Sequence, residues 1–162
     1  MSRAPDHATF VASLRREVSA FSEFLELLSA EQECLVRAQT EPLSDITRRK
    51  AEKAEALGTF ARLRCAFLES HALESNSKGM RQWIASQSDA QAAELRGLWE
   101  KLSAFAADAE RINRTNGTLI NSRMTYTRDA LCALNGLTRS TGVYGRDGST
   151  SVGLAHRDFG AA

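Results

Sequence analysis

Proline is nearly absent from this chain: its 162 residues include only 2 Pro. Val and Ile are also scarce beside Ala, Leu, Glu, Arg and Gln, and this balance favours helices over strands. No stretch approaches the roughly 20 apolar residues that a membrane span needs. The N-terminal segment MSRAPDHATF has neither the basic nor the apolar region of a signal peptide. We therefore expect a mostly α-helical, cytoplasmic protein that does not insert into membranes.

The chain has few residues suited to metals or disulfides. Its 3 cysteines, Cys34, Cys65 and Cys132, are far apart, form no CxxC motif and lie in apolar helical stretches. The 3 histidines occupy different regions without metal-ligand spacing. This pattern predicts buried free thiols and no metal site.

Neither sign of charge dominates, since the formal net charge is +1 and the pI is about 7.8. A nucleic-acid-binding protein usually presents a dominant basic face, so nucleic acid is not an expected partner. The sequence also lacks the GxSxG, Walker, GxGxxG and HExxH motifs. We expect a protein that is not an enzyme and uses no cofactor.

Apolar residues spaced by three and four predict three long helices, at about residues 8–40, 43–73 and 88–137. In the first helix the series runs from Leu14 to Leu35, and Pro42 disfavours helical geometry just before it. In the second helix the apolar series is thin between Ile46 and Leu57. That end either frays or lies on the acidic first helix.

The third helix is the longest, at about 75 Å if it is straight. Ser88 and Gln91 form a capping box at its start. Part of this helix must extend past the other two, pack on another chain or bend, and Gly117 is its weakest point. Before it, residues 80–86 predict a short helical turn. After it, residues 138–162 are rich in Gly, Ser, Thr and Arg, which predicts a flexible tail.

The expected fold is therefore all-α: an antiparallel three-helix elongated bundle over residues 1–137, with coiled-coil-like packing, a long third helix and a flexible C-terminal tail. Within the third helix, Asn113, Asn116 and Asn121 are expected to place three amides in the apolar stripe. Such amides fix helix register or bind a partner peptide laid alongside, and both interpretations stay open.

Two short motifs carry a family resemblance. The set Asn113-x-x-Asn116-Gly117-x-Leu119-Ile120 is followed about 25 residues later by Val143-Tyr144-Gly145-x-x-Gly148. With the chain length and the helix plan, these motifs resemble the FlgN family of flagellar export chaperones. The Ala- and Arg-rich middle and the residues after Gly148 depart from the family pattern.

The resemblance implies a protein that binds the C-terminal helices of hook-associated (hook-filament junction) proteins in the cytoplasm and delivers them to the type III flagellar export gate. It also implies that Tyr144 and Gly145 contact the gate protein. The client-binding residues expected on the third helix are Asn113, Asn116, Gly117, Leu119, Ile120, Met124 and Leu131.

Two other functions fit the same apolar pattern. A coiled-coil scaffold would cover its stripes by homo-oligomerisation, and a regulatory protein would sequester a transcription factor or an enzyme. A free chaperone would show at most weak self-association, so the oligomeric state separates it from an obligate scaffold.

Overall fold

The computed structural model describes residues 6–140, with side chains through residue 135. This part of the chain forms four α-helices and no strand: α1 His7–Arg37, α2 Leu43–Ser70, α3 Ser77–Ala85 and α4 Asp89–Ser140. The all-α expectation is confirmed. The expected number of three helices is wrong, because the region predicted to form a short helical turn, residues 80–86, belongs largely to a separate helix, α3.

Local capping explains where α1 begins and ends. Asp6 accepts a hydrogen bond from the backbone N–H of Thr9 at 2.8 Å, which satisfies one of the free donors at the helix start. At the other end Ala38 adopts a left-handed conformation with φ of 61°. The helix therefore stops at Arg37, slightly earlier than Pro42 alone predicts.

The short helix α3 is fastened to the segment before it. Asn76 caps it by accepting hydrogen bonds from the backbone N–H groups of Lys78 and Gly79, at 2.8 Å and 3.1 Å. A Cβ atom on Gly79 would lie 1.9 Å from the carbonyl oxygen of Glu74, so the chain can make this close approach only with glycine. The side-chain hydrogen bond from Lys78 lowers the pKa of Glu74.

The main apolar core lies where α3 meets the three long helices. Phe10 and Phe67 stack with ring centroids 3.6 Å apart, and Trp83 packs edge-on against both rings, at 5.0 Å and 5.1 Å. Aromatic side chains bury large apolar areas, and edge-to-face pairs add a favourable geometry. The other buried members of this core are Leu14, Leu68, Met80, Ile84, Ala92, Leu95 and Leu102.

The charged first half of α2 lies along α1. Lys50 donates to Glu31 at 2.7 Å, and Lys53 forms an ion pair with Glu23. Because the later residue of α1 pairs with the earlier residue of α2, the two helices are antiparallel. Of the two interpretations left open for this segment, packing on the acidic first helix is confirmed.

Within residues 6–120, α4 runs parallel to α1. Arg15 pairs with Glu94 near the start of both helices, and Asn116 donates to the carbonyl oxygen of Leu28 further along both. The long helices therefore follow the up, down, up order that an antiparallel plan with short connections requires.

The chain divides into two units, Met1–Ile120 and Asn121–Ala162, and the boundary falls inside α4. The expected division lies later, after residue 137. Helix α4 continues without interruption through Gly117 and ends at Ser140. The tail predicted from residue 138 is thus helical at its first three positions, and its remainder, residues 141–162, lies outside the described residues.

Two further findings concern the described residues alone. None of their helices is long and apolar enough to cross a membrane. All three cysteines are free thiols, but only Cys34 is buried; Cys65 is half-buried and Cys132 is exposed. The prediction of three buried thiols is therefore wrong for two of them, because a helical apolar stretch still has an outer face.

Candidate functional site

A buried ion pair links α1 to α2 and is covered by α4. Glu17, only 2% exposed, accepts a hydrogen bond from Arg64 through its carboxylate. The same guanidinium group lies over the ring of Trp99, 5.5 Å from its centroid. A buried charge is tolerated only when it is paired, so this layer requires all three helices to keep their alignment.

A second polar layer joins the same three helices. Glu31, 3% exposed, accepts hydrogen bonds from Lys50 at 2.7 Å and from the amide nitrogen of Asn116 at 2.8 Å. Glu17 and Glu31 are two heptads apart on α1, and Arg64 and Lys50 are two heptads apart on α2. The repeat therefore places one acid and one base in each layer.

The face of α4 that packs on the bundle follows a heptad repeat. Leu95, Leu102, Ala109 and Asn116, each one heptad from the next, are all buried. Half-buried apolar residues follow each of these positions by three residues. These half-buried residues are Leu98, Phe105, Ile112 and Leu119.

A second series of apolar side chains on α4 is exposed. Ile120 is 37% exposed, Met124 59%, Leu131 55% and Leu134 59%. With Thr127 between them, these residues are spaced by four and three, which places them on one helix face. The series is offset by one residue from the buried heptads, so α4 carries two neighbouring stripes. We call Ile120, Met124, Leu131 and Leu134 the outer stripe.

The predicted client-binding residues therefore fall into different environments. Asn113 is exposed, and Gly117 and Leu119 are half-buried. Asn116 is 1% exposed, and its amide is occupied on α1. This placement agrees with the register interpretation, and contact between Asn116 and a client stays a prediction.

Three residues of the expected client site, Ile120, Met124 and Leu131, belong to the outer stripe. The exposed Leu134 is a fourth member that the expected client site omits. Its spacing of three residues from Leu131 is visible in the sequence, but periodicity alone does not separate the outer stripe from the neighbouring buried series. The predicted gate-contact residues Tyr144 and Gly145 lie outside the described residues.

The amide of Asn116 has one determined orientation. Both of its neighbours, the backbone carbonyl of Leu28 and the carboxylate of Glu31, accept hydrogen bonds, so the nitrogen must face them. The oxygen Oδ1 is buried and has no partner in the described part of the chain. Among residues 6–140, no cluster of three or more His, Cys, Asp or Glu could hold a metal ion.

Comparisons with known proteins agree with this architecture. The structure resembles a crystal structure of a flagella synthesis protein FlgN from Pseudomonas aeruginosa, with a TM-score of 0.65 and 21% sequence identity, covering 75% of this chain and 93% of that one. No curated protein matches the chain significantly. The family model described as FlgN protein matches residues 1–151. The chain therefore belongs to the FlgN family.

Proposed function

We propose that this protein is a cytoplasmic export chaperone that binds the C-terminal helices of hook-associated junction proteins and delivers them to the type III flagellar export gate. Membership of the FlgN family implies a role in flagellum synthesis. The outer stripe is the observation that carries the more specific proposal, since it is an apolar helix face that the described part of the protein leaves exposed.

The outer stripe has the form expected of a helix-binding surface. Large exposed apolar patches on a folded protein mark sites of association, and amphipathic helices bind through residues spaced by three, four and seven. Ile120, Met124, Leu131 and Leu134 follow that spacing. A client helix that later polymerises has an apolar face that is unstable in water, and the outer stripe would cover it.

The two polar layers support the proposal from inside the bundle. Because Asn116 donates to Glu31 and to the carbonyl oxygen of Leu28, and Trp99 lies over Arg64, rotation of α4 would break these contacts. The register of α4 is thereby defined, and Ile120 is kept on the outer face. In this function Asn116 is a positioning residue, while Asn113, Gly117, Leu119 and the outer stripe lie in or beside the client site.

Isothermal titration with a synthetic C-terminal helix of a hook-associated protein from the same bacterium tests the proposal. We expect saturable one-to-one binding, weakened more than about tenfold by Ile120→Asp, since a charge would be buried against the client. Ser122→Asp is the matched control, because it adds the same charge at an exposed position outside the stripe. Equal losses in both variants, or unfolding of Ile120→Asp by circular dichroism, would count against the site.

A homo-oligomeric scaffold is the second candidate, because a second copy could also cover the outer stripe. Sedimentation at micromolar concentration separates the two functions. We expect a monomer, or a weak monomer–dimer equilibrium, for the chaperone. A stable oligomer that binds no junction-protein helix would favour the scaffold.

A further inference from the structure

Gly117 lies in the middle of α4, where glycine is a poor choice for the helix itself. Glycine has the lowest helix propensity of any residue except proline. The position does not require it for packing, since a Cβ atom added there would meet nothing within 4 Å. It does not require it for backbone geometry either, because the helix continues through it to Ser140. The free protein therefore shows no internal need for glycine at this position.

The neighbours of Gly117 form a recurring packing arrangement. In helix–helix packing, one side chain enters a hole formed by four residues of the facing helix, at positions i, i+3, i+4 and i+7. Asn113, Asn116, Gly117 and Ile120 have this spacing. Asn116 anchors one wall of this hole to α1, while Asn113 is exposed at its rim.

We propose that these four residues form a hole that receives one large apolar side chain of the partner helix, with Gly117 as its floor. The inference rests on the proposed function and specifies where the client helix comes closest to α4. The axes of two packed helices usually lie about 8–10 Å apart, depending on the side chains at the contact. Because Gly117 has no side chain, the partner helix can approach α4 more closely at this position.

Charge limits the kind of helix that fits. After Gly117, the sequence of helix α4 contains three arginines and one aspartate, so the formal charge of this segment is positive. Complementary charges across an interface favour specific partners and suppress others. The partner is therefore an amphipathic helix with a large apolar residue facing Gly117 and acidic residues beside its apolar stripe.

A pair of glycine variants tests the inference. Gly97 is also in α4, is also half-buried, and also has nothing within 4 Å of an added Cβ. Both Gly97→Ala and Gly117→Ala are expected to raise Tm by about 2–4 °C, because alanine is the better helix former. Only Gly117→Ala is expected to weaken binding of the synthetic junction-protein helix, by about tenfold.

A larger side chain separates close approach from helix flexibility. If Gly117 accommodates a partner side chain, Gly117→Leu weakens binding about tenfold more than Gly117→Ala, because the loss follows volume. If Gly117 were a hinge, the two variants would lose affinity equally, and this result would overturn the inference.

The remaining outcomes distinguish this inference from the proposed function. Unchanged affinity of Gly117→Ala, together with loss of binding by Ile120→Asp, would overturn the hole at Gly117 and leave the chaperone function supported. Absence of binding by the unmodified protein would overturn both.

Discussion

The amide nitrogen of Asn116 on α4 lies 2.8 Å from a carboxylate oxygen of Glu31 on α1 and donates a hydrogen bond to it. Since Lys50 of α2 donates to the same carboxylate, this group joins three helices. The amide oxygen of Asn116 has no partner among residues 6–140, which makes the residue costly in the core. Asn116 instead defines the register of α4 against α1, because its nitrogen can donate to both acceptors, Leu28 and Glu31, in one register only.

Replacing Asn116 by aspartate is expected to destabilise the bundle strongly. Asn116→Asp puts a second carboxylate beside buried Glu31 and removes the donor, so we expect a loss of about 3–5 kcal/mol in the free energy of unfolding by urea. Asn113→Asp is the control: the same change on an exposed position of the same helix should alter stability by less than about 0.5 kcal/mol. Similar effects of both variants would contradict the placement of Asn116.

Removing one partner of the buried ion pair between Glu17 and Arg64 is expected to destabilise the protein, whereas replacing both partners by apolar residues is not. Glu17→Ala leaves Arg64 unpaired and should cost about 3 kcal/mol in urea unfolding, the lower end of the usual range because the Arg64 side chain is 21% exposed. The double variant Glu17→Leu with Arg64→Met should recover most of that loss, since apolar residues of similar volume often replace such pairs without penalty.

An exposed ion pair provides the comparison. Arg15 and Glu94 join α1 to α4 with side chains 57% and 51% exposed. Solvent screens such pairs, so Glu94→Ala should change stability by less than about 1 kcal/mol. If Glu17→Ala cost no more than Glu94→Ala, the buried layer would not have the role that we assign to it.

The helices could be predicted from the sequence because apolar periodicity and capping residues act locally. Leu14, Leu28 and Leu35 are all buried on α1 as their spacing predicts. Glu17 and Glu31 occupy the same buried face, yet a glutamate considered without its partner is predicted to be exposed to solvent. Their burial depends on Arg64 and Lys50, which lie far away in the sequence, and spacing on one helix cannot reveal that pairing.

The burial of the predicted client-binding residues could be predicted only in part, for a related reason. Leu119 and Ile120 are adjacent, and both fit a series spaced by three and four, so periodicity alone merged two stripes that lie about 100° apart on the helix. Tertiary packing separates them: Leu119 follows the buried heptads, whereas Ile120 begins the outer stripe. The family motif points to this region of α4 for the predicted client site, but it does not identify which of its amides faces inward.

Alanine at position 79 should lower the stability of the protein, whereas alanine at position 97 or 117 should raise it. Gly79→Ala would place a Cβ atom 1.9 Å from the backbone oxygen of Glu74, so α3 must shift away from its connection. We expect a loss of about 1–3 kcal/mol by thermal or urea unfolding. Gly97→Ala meets no atom within 4 Å and should be stabilising, which controls for helix propensity. A neutral Gly79→Ala would mean that this approach is looser than the structure indicates.

Removing residues 141–162 tests whether client capture and delivery use different parts of the chain. The outer stripe lies before this segment, whereas Tyr144 and Gly145 lie within it. We expect the truncated protein to bind the junction-protein helix with affinity within about twofold of the full chain, by isothermal titration, because it retains all four residues of the outer stripe and a few such residues carry most of the binding energy. Secretion of the junction protein by a strain carrying the truncation should be lost.

Tyr144→Ala should reproduce the secretion defect in the full-length chain, with client affinity unchanged. Phe159→Ala is the matched control, because it removes another aromatic ring from the same segment and should leave secretion intact. Loss of client affinity on truncation would show that residues 141–162 also contact the client. Equal secretion by the Tyr144→Ala and unmodified strains would remove Tyr144 as the gate contact, because an aromatic anchor in a small interface contributes a large part of its binding energy.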